Sequence, residues 1–266
     1  MPFDLPALNA PAEPERLSLG PDAIPAILIR PQAPGQHPAV VLQHGFASKK
    51  DDFLPLALVL AGLGFITLLA DAWDHGERRL PADPARSAEA SALHDMSVVH
   101  HTIDDMRLAV DELLHRPDVR ADAVIVGGFS MGAICALVVG AEDPRIAGIV
   151  SIAGSPLPDI LTARFKGATP SSDEAQRYAH AHDVASKAAA LAPRPLLLSH
   201  GRDDDMVPVA GTLRLYEALA PAYAATPDRL ALKLYDHTHR ITEQQMRDAL
   251  AFIAPFFLSD VERPSA

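Results

Sequence analysis

Gly128-Phe129-Ser130-Met131-Gly132 is the stretch of this chain best equipped for chemistry. A serine hydroxyl is a weak nucleophile until a histidine takes its proton. That histidine in turn needs a carboxylate to hold its tautomer and balance its charge. Candidates for both partners follow the serine: the acids Asp203, Asp204 and Asp205, and the histidines His237 and His239. Each group lies just past the end of a separate apolar run, in the order serine, acid, histidine. If those runs are strands of one parallel sheet, their ends share an edge, and groups far apart in sequence converge there. The chemistry such a set performs is acyl transfer through a covalent intermediate.

The flanking residues explain how Ser130 could be presented. Ala123-Val124-Ile125-Val126 reads as a buried strand, and Ala133-Ile134-Cys135 opens an apolar run that reads as a helix. The turn between them must be tight, and Gly128 and Gly132 let strand and helix crowd together. The helix N-terminus adds free N–H groups and positive dipole character, which suit a developing oxyanion. A second donor must come from another strand. Ala39–Gln43 is a short apolar strand, and His44-Gly45-Phe46 follows it, so the two oxyanion donors are assigned to the N–H groups of Phe46 and Met131. Phe65–Ala70 is a further strand, followed by Asp71-Ala72-Trp73-Asp74-His75-Gly76-Glu77-Arg78-Arg79. His44, Trp73 and His75 are the candidate substrate contacts. The competing reading is structural: His44 hydrogen-bonds locally, Asp71 ties its loop down through backbone N–H groups, and Arg78 pairs with an acid.

The totals narrow the field. The 266 residues allow one large α/β domain or two small ones. Apolar residues make up 48% and charged residues 21%, an ordinary globular balance. A formal net charge of −11 argues against nucleic acid or an anionic membrane as partner. The single cysteine, Cys135, excludes an internal disulfide framework and a thiolate metal cluster, and its place behind Ser130 suggests packing. Met1–Pro14 lacks the basic start and apolar core of a signal peptide, so a cytoplasmic location is expected. Phe53–Ala70 carries no charge over a length that could cross a membrane, but Pro55, Gly62 and Gly64 divide it into a helix and a strand.

Along the rest of the chain, 1–16 is a proline-rich extension, and Leu17–Gly20 with Ile24–Arg30 suggests an antiparallel edge. Pro81 to Ser91 reads as a surface excursion. His94 to His115 is a helical pattern with Met96, Val99, Ile103, Met106 and Val110 on one face. His94, His100 and His101 raise a metal site, but adjacent helical residues point about 100° apart, and no metal is expected. After the strand Ile146–Ile152, a stretch at about 155–192 breaks the strand–helix rhythm. It is expected to form a small cap, with Phe165 and Tyr178 as candidate pocket residues that no spacing rule fixes. Leu196–His200 and Leu230–Tyr235 are strands, a helix runs from near Pro208 to Leu219, and a terminal helix from Thr242 to about Phe257 is capped by Thr242. The tail is 259–266.

Taken together, these motifs resemble the α/β-hydrolases, specifically bacterial esterases near the dienelactone-hydrolase and prolyl-oligopeptidase-like branches. The resemblance spans about Ala39 to Phe257. It implies an α/β-hydrolase fold over 17–258: a mostly parallel central sheet, helices on both faces and the small cap. The family pattern Gly-x-x-Asp-x-x-Val-Pro falls on Gly201 to Pro208 and picks Asp204 from the three acids. The usual Gly-His appears here as Thr238-His239, which favours His239 over His237. Dienelactone hydrolases proper carry a cysteine nucleophile, so Ser130 argues for the esterase side. The expectation is a serine carboxylesterase without cofactor, acting on a small-molecule ester, with a homodimer left open. A peptidase or amidase of the same fold and a catalytically silent binding module are the rival readings.

Overall fold

The structure is a computed structural model that describes residues 9–11, 13–82, 88–164 and 173–258. Phe165, the tail and most of the N-terminal extension lie outside the described residues. The chain runs β1 (Glu15–Leu19), β2 (Ile24–Ile29), β3 (His37–Gln43), α1 (Leu54–Leu63), β4 (Ile66–Ala70), α2 (Ala88–Leu114), β5 (Val119–Phe129) and α3 (Met131–Glu142). It continues through β6 (Ile146–Ile152), α4 (Leu157–Arg164), α5 (Asp173–Ala181), α6 (Ala188–Leu191), β7 (Leu196–Gly201), α7 (Val209–Leu219), β8 (Leu230–Tyr235) and α8 (Glu243–Phe257).

The eight strands form one sheet in the order β1-β2-β4-β3-β5-β6-β7-β8. β1 and β2 pair antiparallel, β2 pairs antiparallel with β4, and every pairing from β4 to β8 is parallel. The carboxyl ends of β3 to β8 therefore lie along one edge.

Strand alternation splits the core in two. Val124 and Val126 of β5 face one side with Val41, Ile103, Val110 and Leu137. Ala123 and Ile125 face the other with Val40, Leu42, Leu60, Leu250 and Ile253. That period of two puts α2 and α3 on one face and α1 and α8 on the other. Fully burying one such aliphatic side chain contributes about 1.5–3 kcal/mol, so the apolar faces hold the helices in place.

The apolar stretch Phe53–Ala70 is divided: α1 ends at Leu63, and the chain re-enters the sheet as β4. Among the described residues no helix is long and apolar enough to cross a membrane. Two boundaries differ from the sequence reading. α2 begins at Ala88, inside the stretch read as a surface excursion, because the alanine-rich run before His94 has high helix propensity despite its polarity. β5 begins at Val119, where Arg120-Ala121-Asp122 carry no apolar alternation. Val119 pairs with His37 beyond an irregularity in register. α8 is capped by Thr242, whose hydroxyl accepts from the Gln245 N–H at 3.2 Å. The Gln245 side chain closes the box by accepting from the Thr242 N–H at 3.0 Å.

Candidate active site

Ser130 stands between β5 and α3 with φ 54° and ψ −120°, a left-handed backbone conformation that strains a residue with a side chain. The neighbours hold it there. Its N–H donates to the Ile152 carbonyl at 2.9 Å, and its carbonyl accepts from the Ile134 N–H at 3.0 Å. The crowding beneath it is severe. A Cβ on Gly132 would lie 2.1 Å from the Gln43 carbonyl oxygen and 2.7 Å from that of His44. One on Gly128 would lie 2.5 Å from the Gly132 carbonyl carbon. These contacts are with backbone, which cannot swing aside. Gly132→Ala is expected to destabilise the fold by about 2–4 kcal/mol, read as a lower urea midpoint, by pushing α3 off β3. An unchanged midpoint would refute the close approach.

Ser130, His239 and Asp204 meet at the carboxyl edge of the sheet. The Ser130 hydroxyl donates to His239 Nε2 at 2.9 Å, and His239 Nδ1–H donates to Asp204 Oδ2 at 2.7 Å. Asp204 is held by its own turn: Oδ1 accepts from the N–H groups of Met206 at 3.0 Å and Val207 at 2.8 Å. Burial alone would push this carboxyl up, but hydrogen bonds from His200, His239 and the Val207 N–H outweigh it. They hold the pKa well below the usual carboxylate range. The alternatives stay apart from the serine. Asp203 and Asp205 are exposed. His237 donates from Nδ1 to the Thr238 carbonyl at 2.7 Å and stacks on Tyr235.

The loop after β3 adjoins the serine. A Cβ on Gly45 would lie 3.2 Å from the Ser130 Cβ, so the backbone leading into Phe46 passes directly beside that serine. Met131 opens α3, and its N–H is one of the helix's orphan donors. Neither the Phe46 nor the Met131 N–H has an acceptor among the described residues. Two unpaired N–H groups from different elements beside one hydroxyl are suited to an oxyanion.

The expected substrate contacts fare differently. His44 does not fit that role. It is 1% exposed, with Nδ1–H donating to the Gly45 carbonyl at 2.8 Å and Nε2 accepting from the Ala72 N–H at 3.0 Å. Both ring nitrogens are used, so the side chain binds the loop after β3 to the loop after β4. His75 is also buried, with Nδ1–H donating to the Trp73 carbonyl at 2.9 Å. Its ring packs on His44 and, at 5.4 Å between centroids, on Phe46. It backs the Phe46 loop. Trp73 is partly buried against the rings of His94 and His101.

Desolvation drives the His44 pKa down to about 4. Unfolded, the group takes a proton near its ordinary value of about 6.5. Its contribution is therefore complete above that pH and is lost as pH falls toward 4, because the unfolded chain binds the extra proton. The loss amounts to about 3 kcal/mol. The difference in unfolding free energy between wild type and His44→Gln should narrow by that amount between pH 7.5 and 4. A difference flat with pH would mean that the imidazole is not held neutral.

The structural roles of Asp71 and Arg78 are also visible. Asp71 is fully buried and accepts from the Lys50 ammonium at 2.7 Å, the Lys50 N–H at 3.0 Å and the Glu77 N–H at 3.0 Å. Arg78 pairs with Asp105 and donates to the Asp71 carbonyl at 3.1 Å. Sequence reasoning missed Lys50, whose burial at 1% exposure has no signal in a polar loop. It also passed over His200, which contacts Asp204, and Thr212, which contacts His200. The only hint of His200 was a titratable side chain at the end of an apolar strand.

The histidines of α2 engage different partners. His94 bonds Asp74 at 2.8 Å, and His100 packs edge-on against Tyr178. Among the described residues no three His, Cys, Asp or Glu side chains are placed to hold a metal ion. Tyr178 packs against the core on the α2 side, between His100 and His182. Cys135 is fully buried, and burial pushes its thiol far above the ordinary value.

Comparison with known proteins adds an independent line. The model of the Dienelactone hydrolase family matches residues 24–249. Esterase YjfP of Escherichia coli (strain K12) is 30% identical over 232 residues, covering 81% of this chain and 87% of that protein. The crystal structure of TT1662 from Thermus thermophilus superimposes with a TM-score of 0.76 at 28% identity, over 90% of this chain and 95% of that one. The acylaminoacyl peptidase of Pyrococcus horikoshii shares the fold, with a TM-score of 0.69 at 15% identity. The match covers 94% of this chain but 42% of that one.

Proposed function

The chain belongs to the dienelactone hydrolase family of α/β-hydrolases, and from that premise we propose that it is a serine carboxylesterase acting on small to medium esters. The observation that carries this reading is the unbroken hydrogen-bonded chain from the Ser130 hydroxyl through His239 to Asp204. His239 Nε2 takes the Ser130 proton as Oγ attacks the acyl carbon. The carbonyl oxygen becomes an oxyanion, which the N–H groups of Phe46 and Met131 receive. The imidazolium then protonates the leaving alcohol. A water takes the alcohol's place, His239 removes its proton, and the acyl-enzyme is hydrolysed. Asp204 stays ionised throughout, fixing the tautomer of His239 and balancing its charge.

Hydrolysis of p-nitrophenyl esters from acetate to dodecanoate tests this reading, beside a matched peptide amide and a fluorophosphonate probe. We expect ester turnover with an optimum among the shorter chains, and covalent labelling at Ser130. Labelling without turnover of any ester would move the reading to amide cleavage. No labelling would leave a hydrolase fold that only binds.

A further inference from the structure

Beside Asp204 the structure places a second histidine, in contact with the same carboxylate oxygen as His239. His200, at the end of β7, is fully buried. Its Nε2 lies 2.8 Å from the Val207 carbonyl and 3.3 Å from Asp204 Oδ2, the oxygen that also accepts from His239. Its Nδ1 lies 2.7 Å from Thr212 Oγ1 on α7, and that hydroxyl lies 2.6 Å from the Gly154 carbonyl at the end of β6.

Counting protons along this row fixes the state of the ring. Both partners of Nε2 are acceptors, so Nε2 must carry hydrogen. The Gly154 carbonyl is only an acceptor, so the hydrogen between it and Thr212 Oγ1 has to come from the threonine. A hydroxyl has one hydrogen, and Thr212 has therefore none left for His200. Nδ1 must supply the hydrogen of its own 2.7 Å contact. A neutral ring would leave two oxygens facing each other at 2.6 Å, a bare Nδ1 facing the threonine oxygen at 2.7 Å, or a bare Nε2 facing two acceptors, and each is costly where no water can relieve it.

We propose that His200 is a buried imidazolium that acts as a positioning residue for Asp204, sharing the carboxylate's Oδ2 with His239. The inference rests on the esterase reading for its kinetic consequence but not for its structural content. Among the described residues, the titratable side chains in contact with the ring are Asp204 and, through the shared Oδ2, His239 from the loop after β8. α7 offers the neutral Thr212, and the end of β6 offers a carbonyl. The charge at 200 partly satisfies Asp204 and repels a second positive charge at 239. It thereby lets His239 serve as a base at lower pH than a carboxylate held by neutral donors alone would allow.

Nitrogen–proton NMR of the histidine rings in the intact chain provides the test. Wild type should show two ring N–H signals from His200 at neutral pH, identified by their loss in His200→Gln. Thr212→Val removes the acceptor of Nδ1–H while keeping the ring, and should leave one signal. In both variants the acid limb of the kcat/KM profile on the best ester should move to higher pH, by about one unit. A single N–H signal from His200 across the neutral range would overturn the proposal, as would an acid limb that stays in place in Thr212→Val. The ring signals are seen whether or not any ester is cleaved. Two signals without ester turnover therefore sink the esterase reading and leave the imidazolium standing.

Discussion

Ser130→Ala should lose about 10⁵-fold or more in kcat/KM on the best p-nitrophenyl ester while keeping the fold. The expectation follows from what the substitution removes and what it leaves. The hydroxyl that bonds His239 Nε2 at 2.9 Å is gone, so no covalent acyl-enzyme can form. The proposed oxyanion donors, the Phe46 and Met131 N–H groups, remain, because both belong to the backbone, and some acceleration over water should persist through them. The backbone bonds of residue 130, to Ile152 and Ile134, do not involve the side chain and should hold alanine in the same strained conformation. The unfolding midpoint should stay level or rise, as it does when a strained catalytic group is trimmed. Kinetics on the variant, with circular dichroism and urea unfolding, would decide. Ester turnover within tenfold of wild type would remove Ser130 from the mechanism.

Much of this site was legible in the sequence because its positioning devices are local. A run of Val and Ile ending in glycine, a serine and a second glycine fixes strand, turn and helix within a dozen residues. The structure realises that turn through backbone contacts that no other residue type at Gly132 would permit. The parallel sheet then does the long-range work: once the runs before the serine, the acids and the histidines are parallel strands, their ends must fall on the same edge. What the residues left open was the choice among neighbours. Asp203, Asp204 and Asp205 are chemically alike, and only the turn that buries the middle one separates them. The family pattern supplied that choice, as it did for His239 over His237. The histidines at 44 and 75 illustrate the limit. Their position after strands made them look like ligand contacts. Whether a ring nitrogen faces a pocket or a neighbouring backbone N–H depends on how two loops distant in sequence pack, and no local pattern encodes that. Lys50 escaped for the same reason, because Asp71 reaches it from another loop. His200 is held by nearer residues, Asp204, Val207 and Thr212, and only the turn after β7 brings them round its ring.

The acid offers the sharpest discrimination among residues that look equivalent. Asp204→Asn should lower kcat by about 10⁴-fold, whereas Asp203→Asn and Asp205→Asn should stay within a few-fold of wild type. The geometry dictates how an asparagine would sit. The oxygen at the Oδ1 position accepts from two backbone N–H groups, at 3.0 and 2.8 Å, and an amide nitrogen placed there would face two donors. The amide must therefore turn its oxygen to that side and its NH₂ toward His239 Nδ1. Facing a donor, Nδ1 gives up its hydrogen, and the neutral ring carries its proton on Nε2 instead. The nitrogen that should receive the serine proton is then occupied, and the base is lost although every heavy atom stays near its place. The same NH₂ would oppose the His200 Nε2–H that lies 3.3 Å from Oδ2 in wild type, adding a second mismatch in a buried row. Stability should therefore fall alongside activity, whereas Ser130→Ala loses activity alone. Measuring kcat and urea midpoints for all three asparagine variants separates the cases. A large loss in Asp203→Asn or Asp205→Asn, with Asp204→Asn near wild type, would move the acid to another position in the loop and with it the orientation assigned to His239.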